Sequence, residues 1–298
     1  MFIGGSKKAV VENIRAAVKE QRFYEKTEVG DPNLSEAAKA KLIKRFLRIH
    51  RTPAYAFNNW LARCVTDTVS RIENRGTEYI GIENIRNIST GAVITSNHFN
   101  PLENTAVRQA MKKVGKGRMY VVCQESNYAM KGLVGFLMNY MDTIPIWKSN
   151  ANYMKYEFND MVGGLLKKNR FLLIYPEQEM WFNYRKPRPP KRGAYYYAAK
   201  YQVPVISCFV EIRDCDEKEN EEFYKTRYIV HILPVIYPDS SLSVRENSFR
   251  MMELDYEQKK EAYEKAYGKE LRYEFEDSDI AGWIAKEGNQ THTGGECR

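Results

Sequence analysis

From Gly76 onward, short apolar runs alternate with stretches of helical period, and this alternation leaves few folds open. Tyr79 to Ile82, Gly91 to Ile94, Arg118 to Cys123, Thr143 to Trp147, Phe171 to Tyr175, Val203 to Ile212 and Arg227 to Ile236 read as strands. Between them lie a helix beginning near Pro101, an apolar, glycine-punctuated segment over 128–141, a helix over 151–168 and a short Ala- and Tyr-rich helix over 193–201. The pattern predicts an α/β fold with a mixed, largely parallel central sheet flanked by helices. A chain of 298 residues can bury a sizeable core of this kind.

Residues 1–75 are expected to be helical. Val10, Val11, Ile14, Ala17 and Val18 recur at helical spacing, and a polar turn follows at Gly30-Asp31-Pro32-Asn33. Ser35 suits the cap of a second helix with Leu42, Ile43, Phe46 and Leu47. Thr52-Pro53 starts a third, which carries Phe57, Trp60, Leu61, Cys64 and Val65 on one face. Lys41, Lys44, Arg45, Arg48 and Arg51 surround this aromatic-rich region. The combination suits a helix lying on an anionic membrane surface, and it equally suits ordinary helix packing with a solvated basic face. Residues 76–240 make up the central domain. Residues 241–298 carry an amphipathic helix, opened by Ser243-x-x-Glu246 and ended by Gly268, and then a loose tail with Gly288, Gly294 and Gly295.

The charge balance is 46 Lys and Arg against 38 Asp and Glu, a net +8, which favours anionic partners: lipid headgroups, phosphorylated carriers or nucleic acid. The five cysteines form no CxxC pair and have no metal-ligand spacing, so reduced thiols in a cytosolic protein and no bound metal are expected. The N-terminus has no signal-peptide pattern, and no run of 18 apolar residues predicts a spanning helix.

Three stretches carry chemistry. In Thr95-Ser96-Asn97-His98-Phe99-Asn100-Pro101-Leu102-Glu103, His98 falls where a strand ends and a helix begins, the edge at which open α/β sheets bind ligands. An imidazole with a carboxylate five residues on is a candidate general base with its acid partner. Asn100-x-x-Glu103 is also close to a capping box, in which Glu103 would satisfy a backbone N–H, and both roles stay open. Tyr175-Pro176-Glu177-Gln178-Glu179 follows another buried strand on the same edge. There Glu177 suits either ordering a loop or binding a substrate hydroxyl. Arg185-Lys186-Pro187-Arg188-Pro189-Pro190-Lys191-Arg192-Gly193 sets five cations in nine residues, held extended by prolines. It reads as an anion site or as a solvated loop.

Ser96 to Glu103 resembles the first motif, His followed after four residues by Asp, of the glycerolipid acyltransferases related to 1-acylglycerol-3-phosphate acyltransferase. Tyr175-Pro176-Glu177 resembles their third motif, aromatic-Pro-Glu-Gly-Thr-Arg. Lys191-Arg192-Gly193, Ala198 and Val203-Pro204-Val205-Ile206 are similar to their Lys-x-Gly, helix, Val-Pro ending. Gly81-Ile82-Glu83-Asn84-Ile85 looks like their Gly-Leu-Glu-Asn lead-in, and Asp142 to Lys148 falls where their second motif ends in Arg. The order and spacing match over 80–236. There are three departures: Glu103 for Asp, Lys148 for Arg (which loses the bidentate fork), and Gln178-Glu179-Met180 for Gly-Thr-Arg.

The resemblance implies acyl transfer from acyl-CoA or acyl carrier protein, as co-substrate rather than cofactor, to the hydroxyl of a lysophospholipid or 1-acylglycerol 3-phosphate. It makes His98 the base and Glu103 its partner. Asn97, Lys148, Glu177, Arg185, Lys191, Arg192 and Gly193 become substrate-binding candidates, with the 185–192 cluster standing in for the lost arginine. The enzyme would be cytoplasmic and peripheral on the inner face of the cell membrane. A catalytically silent lipid-binding relative is one alternative. A nucleic-acid binder using the basic loop is the other; it would not need the His98–Glu103 pair, and nucleic acid is not the expected partner.

Overall fold

A computed structural model describes residues 6–30, 34–116 and 118–284. Asp31, Pro32 and Asn33 of the expected turn, and Gly288, Gly294, Gly295 and Cys297 of the tail, lie outside the described residues.

Three helices come first: α1 (Lys8–Lys19), α2 (Glu36–Ile49) and α3 (Pro53–Glu73). The Ser35 hydroxyl accepts from the Ala38 amide and the Thr52 hydroxyl from that of Tyr55, so α2 and α3 start at the residues whose side chains satisfy otherwise orphaned N–H groups. The sheet is built from β1 (Glu78–Ile80), β2 (Ala92–Thr95), β3 (Met119–Gln124), β4 (Thr143–Ile146), β5 (Phe171–Leu173), β6 (Val205–Lys218) and β7 (Tyr224–Ile232), in spatial order β1-β7-β6-β2-β5-β3-β4. Every neighbouring pair is parallel except β6 with β7. That pair is a hairpin; β6 runs past the apolar run that marked it, to Lys218, and β7 starts and ends earlier than its run.

Between the strands lie α4 (Glu103–Lys113), α5 (Gly132–Tyr140), a helical stretch of α6 (Ala151–Tyr153), a π-helical turn (Met154–Phe158) and α7 (Asn159–Lys167), and then α8 (Gly193–Tyr201). The last helix, α9 (Val244–Tyr267), has the expected Ser243–Glu246 capping box and the αL Gly268.

The alternation of side chains along each strand sorts two cores. Ala92, Ile94, Phe171 and Leu173 pack with Ala106, Val107, Ala110 and Met111 of α4. Val93, Leu172 and Val205 pack on the other face with Val162 and Leu166 of α7 and with Tyr195 and Ala198 of α8. A third core joins α1 to Trp181, Phe182 and Ile280. The N-terminal helices therefore separate: α1 docks beside the loop after β5, whereas α3 packs on α4 and α5. The lead-in turn after β1 needs a glycine. Gly81 has φ +75°, and a Cβ there would lie 2.2 Å from the Ile232 carbonyl oxygen.

Helix α3 is inverted relative to an ordinary core helix. Its buried stripe is Asn59, Ala62, Thr66 and Ser70, while Phe57 and Trp60 stay 63% and 57% exposed. The apolar face that the spacing of Phe57, Trp60, Leu61 and Cys64 would send into a core is turned outward. Among the described residues no helix is long and apolar enough to cross a membrane. Among the described residues Cys64, Cys123 and Cys208 are free thiols.

A buried polar network fixes α9 to the sheet. Asp255 accepts from Thr95 Oγ1 at 2.8 Å, from Lys259 Nζ at 2.7 Å and from the Tyr195 hydroxyl, and Lys259 also donates to Thr95 Oγ1 at 2.9 Å. Removing one member leaves the other charge uncompensated in the interior. Asp255→Ala should therefore cost about 3–5 kcal/mol in urea denaturation, and Asp255→Leu with Lys259→Met should recover most of it.

Candidate active site

Strand β2 is buried along its whole length between β5 and β6, and the chain leaves its carboxyl end as Ser96-Asn97-His98. Asn97 is spent on the scaffold. Its amide donates to the Val210 carbonyl at 3.0 Å and its carbonyl accepts the Val210 amide at 2.8 Å, which continues the β2–β6 pairing through a side chain. This places the next residue, His98, at the sheet edge with 21% of its side-chain surface accessible.

Two glutamates hold His98. Glu103 opens α4 and is fully buried. One of its oxygens meets His98 Nδ1, and the other accepts the amides of Phe99 at 2.5 Å and Asn100 at 2.7 Å. The two roles left open by the sequence are thus performed together: one oxygen caps the turn, the other orients the ring. The helix begins at Glu103 rather than at Pro101, and the Asn100 side chain accepts the Leu102 amide at 3.0 Å in the intervening turn.

The second glutamate, Glu177, follows β5. Its Oε2 accepts the His98 amide at 3.2 Å, and its two oxygens take Nε and the backbone N–H of Arg188 at 3.1 and 3.0 Å. Arg188 is buried, stacks 4.4 Å over Trp181 and donates onward to the carbonyls of Phe23, His98 and Glu179. Burial pulls its pKa down and Glu177 opposes this. Tyr175 completes the site: its ring stacks on that of His98 at 3.9 Å and 10°. Burial raises its hydroxyl well above the ordinary phenol range, with the Glu103 charge adding to the effect.

The basic loop does not converge on His98 as a free cluster. Arg185 pairs with Asp214 at 2.5 Å, Lys186 with Asp279 at 2.7 Å and Arg188 with Glu177 at 3.0 Å. Lys191 lies 3.6 Å over the Tyr24 ring and Arg192 4.9 Å over that of Phe249, and both keep exposed surface. Gly193 starts α8, and Lys148 is exposed just past β4. Gln178 adopts φ +71°, a left-handed conformation at the place where the resembling motif has glycine. The Gln124 amide, at the end of β3, holds the next residue, Glu179, at 2.7 Å. Among the described residues no group of three or more His, Cys, Asp or Glu is arranged to hold a metal ion.

Sequence reasoning did not single out Tyr175 or Arg188 as members of the site. Each lay inside a quoted motif, as the aromatic before Pro-Glu and as one cation of five, but their packing on His98 and Glu177 depends on strands distant in sequence.

A histidine at a strand end, braced by two glutamates at the carboxyl edge of a mostly parallel sheet, is a candidate for proton transfer. Residues 76–211 match the model of the Acyltransferase family. Among solved structures the chain is similar to the 1-acyl-sn-glycerophosphate (LPA) acyltransferase PlsC from Thermotoga maritima. The identity is 14%, the match covers 78% of this chain and 90% of that one, and the TM-score is 0.48. No curated protein matches the sequence.

The hydrogen-bond pattern dictates what Glu103→Gln does. Two backbone donors require an oxygen on their side, so the amide must turn its NH₂ to His98 Nδ1. The ring then has to accept there and carry its proton on Nε2. Nitrogen-15 NMR of the imidazole should show the proton on Nδ1 in the wild type and on Nε2 in the variant.

Proposed function

We propose that the protein transfers a fatty acyl group from an acyl thioester to the hydroxyl of a lysophospholipid or 1-acylglycerol 3-phosphate, with His98 as the general base. The observation that carries this reading is the shared use of Glu103, which leaves His98 Nε2 as the nitrogen available to substrate. Neutral His98 takes the proton at Nε2 as the acceptor oxygen attacks the thioester carbonyl. Glu103 accepts from Nδ1–H and balances the imidazolium that forms. When the tetrahedral adduct collapses, the thiolate leaves and takes up the proton from His98. Glu177 and Arg188 act through the backbone: they hold the His98 amide and carbonyl, and so fix where the ring stands relative to Tyr175. Acyl-CoA or acyl carrier protein is the donor this reading calls for. Lys148, Lys191 and Arg192 are the exposed cations available to its phosphates.

His98→Ala should leave the fold intact, because the ring is partly exposed, and should lower acyl transfer by about 100- to 10,000-fold. The measurement is turnover of labelled acyl-CoA with a panel of lysolipids, read by mass spectrometry alongside thermal unfolding. A variant within a few-fold of wild type would remove His98 from the mechanism.

We also propose that the protein works from a membrane surface. The outward aromatics of α3, the exposed Leu133 and Val134 of α5 and the exposed Lys41, Lys44, Arg45, Arg48 and Arg51 support this. Vesicle co-sedimentation should increase with anionic lipid and fall with salt. Phe57→Ser with Trp60→Ser should weaken it by about tenfold or more, the loss of two large apolar anchors. Equal binding to neutral and anionic vesicles would contradict the basic surface.

A further inference from the structure

The inward side of α3 and α4 encloses a charge that the fold does not neutralise. Arg108, the sixth residue of α4, is 3% exposed, its Nε is fully enclosed, and among the described residues no hydrogen bond or ion pair reaches its guanidinium. The two carboxylates nearest in electrostatic influence are Asp142 and Asp67, and both also face other cations. Asp67 pairs with Lys112 at 2.5 Å. Asp142 accepts from Arg118 at 2.9 Å and from Asn59 at 3.0 Å through one oxygen; its other oxygen is enclosed without a hydrogen bond and has Arg63 at 3.8 Å. Arg63, Arg108, Lys112 and Arg118 thus stand against two carboxylates, an excess of two positive charges. A guanidinium does not shed its proton to escape burial, and an unpaired buried charge costs several kcal/mol. Ordinary packing gives no reason to keep arginine there, since α4 already buries Ala106, Val107, Ala110 and Met111 in its core stripe.

Arg108 also lies close to the proposed chemistry. Tyr175 stacks on His98 at one end, and its enclosed hydroxyl lies within the influence of the Glu103 charge and, more weakly, of the Arg108 charge. The arginine of the resembling third motif is Met180 here, and Arg185, Lys186 and Arg188 of the basic loop are consumed by Asp214, Asp279 and Glu177.

We infer that Arg108 anchors a buried oxyanion site between α3, α4 and the sheet, which takes the phosphate or carboxylate of the acyl acceptor while His98 takes its hydroxyl. This rests on the acyl-transfer reading above. The ligand chemistry is an oxyanion, for which a guanidinium supplies a bidentate fork.

Arg108→Met keeps the length of the side chain and removes the charge. Without ligand, the variant should melt at a higher temperature than wild type, because the unpaired charge is gone. Inorganic phosphate and acetate should raise the melting temperature of the wild type but not of the variant. In turnover, KM for 1-acylglycerol 3-phosphate should rise about 10- to 100-fold, the loss of a charge-assisted hydrogen bond. The constants for monoacylglycerol, which has no anion, should stay put, and Arg108→Lys should recover part of the loss. A variant that melts lower than wild type, or an equal anion shift in both proteins, would overturn the site. Unchanged KM for phosphate- and carboxylate-bearing acceptors alongside a lost anion shift would overturn the acceptor assignment, leaving a site for free anion. If wild type acylates none of these acceptors, the acyl-transfer reading fails, and the melting measurements, which need no turnover, still decide whether Arg108 binds an oxyanion.

Discussion

One carboxylate sets the geometry on which the site depends. Glu103 is fully enclosed and its two oxygens meet three donors: the His98 ring and the amides of Phe99 and Asn100. A buried carboxylate is tolerated when such bonds replace its water. The turn from β2 into α4 cannot relax without breaking them, so the imidazole inherits the rigidity of the helix start. Glutamate in place of the shorter aspartate gives the reach to serve the ring and the backbone together.

A second carboxylate works from the opposite side. Glu177 grips the His98 amide and is itself locked by Arg188, whose guanidinium is sandwiched against Trp181 and tied to three carbonyls. Cations that look like a surface charge run in sequence become interior struts. The consequence is chemical as well as structural: a loop rich in positive charge contributes little free charge to a ligand near His98, because each strut already has its counter-ion. Arg108 is the contrasting case, a buried cation without one.

The fold shows the same economy of position. Asp255 and Lys259 reach from α9 to Thr95 at the end of β2, so the C-terminal helix braces the strand that carries His98. Helix α3 places small and polar residues inward and aromatics outward. This arrangement has a cost in water, which the proposed lipid surface would offset.

Local sequence determined a good deal of this. The strand runs, the Ser35, Thr52 and Ser243 caps, the Gly268 stop and the junction that sets His98 at a strand end all follow from short-range periodicity and backbone hydrogen-bonding needs, and the structure places them within a few residues of where the pattern puts them. The pairing of His98 with Glu103 was legible because five residues separate them. Tertiary structure decided the rest, because each remaining contact joins elements far apart in the chain. Tyr175 stacks on His98 only once β5 lies beside β2, and Arg188 becomes a strut only once the basic loop folds back over Glu177. Phe57 and Trp60 point outward because α3 spends its other face on α4 and Asp142. Periodicity shows that a helix has two faces; which face is buried depends on what the rest of the chain sets against it.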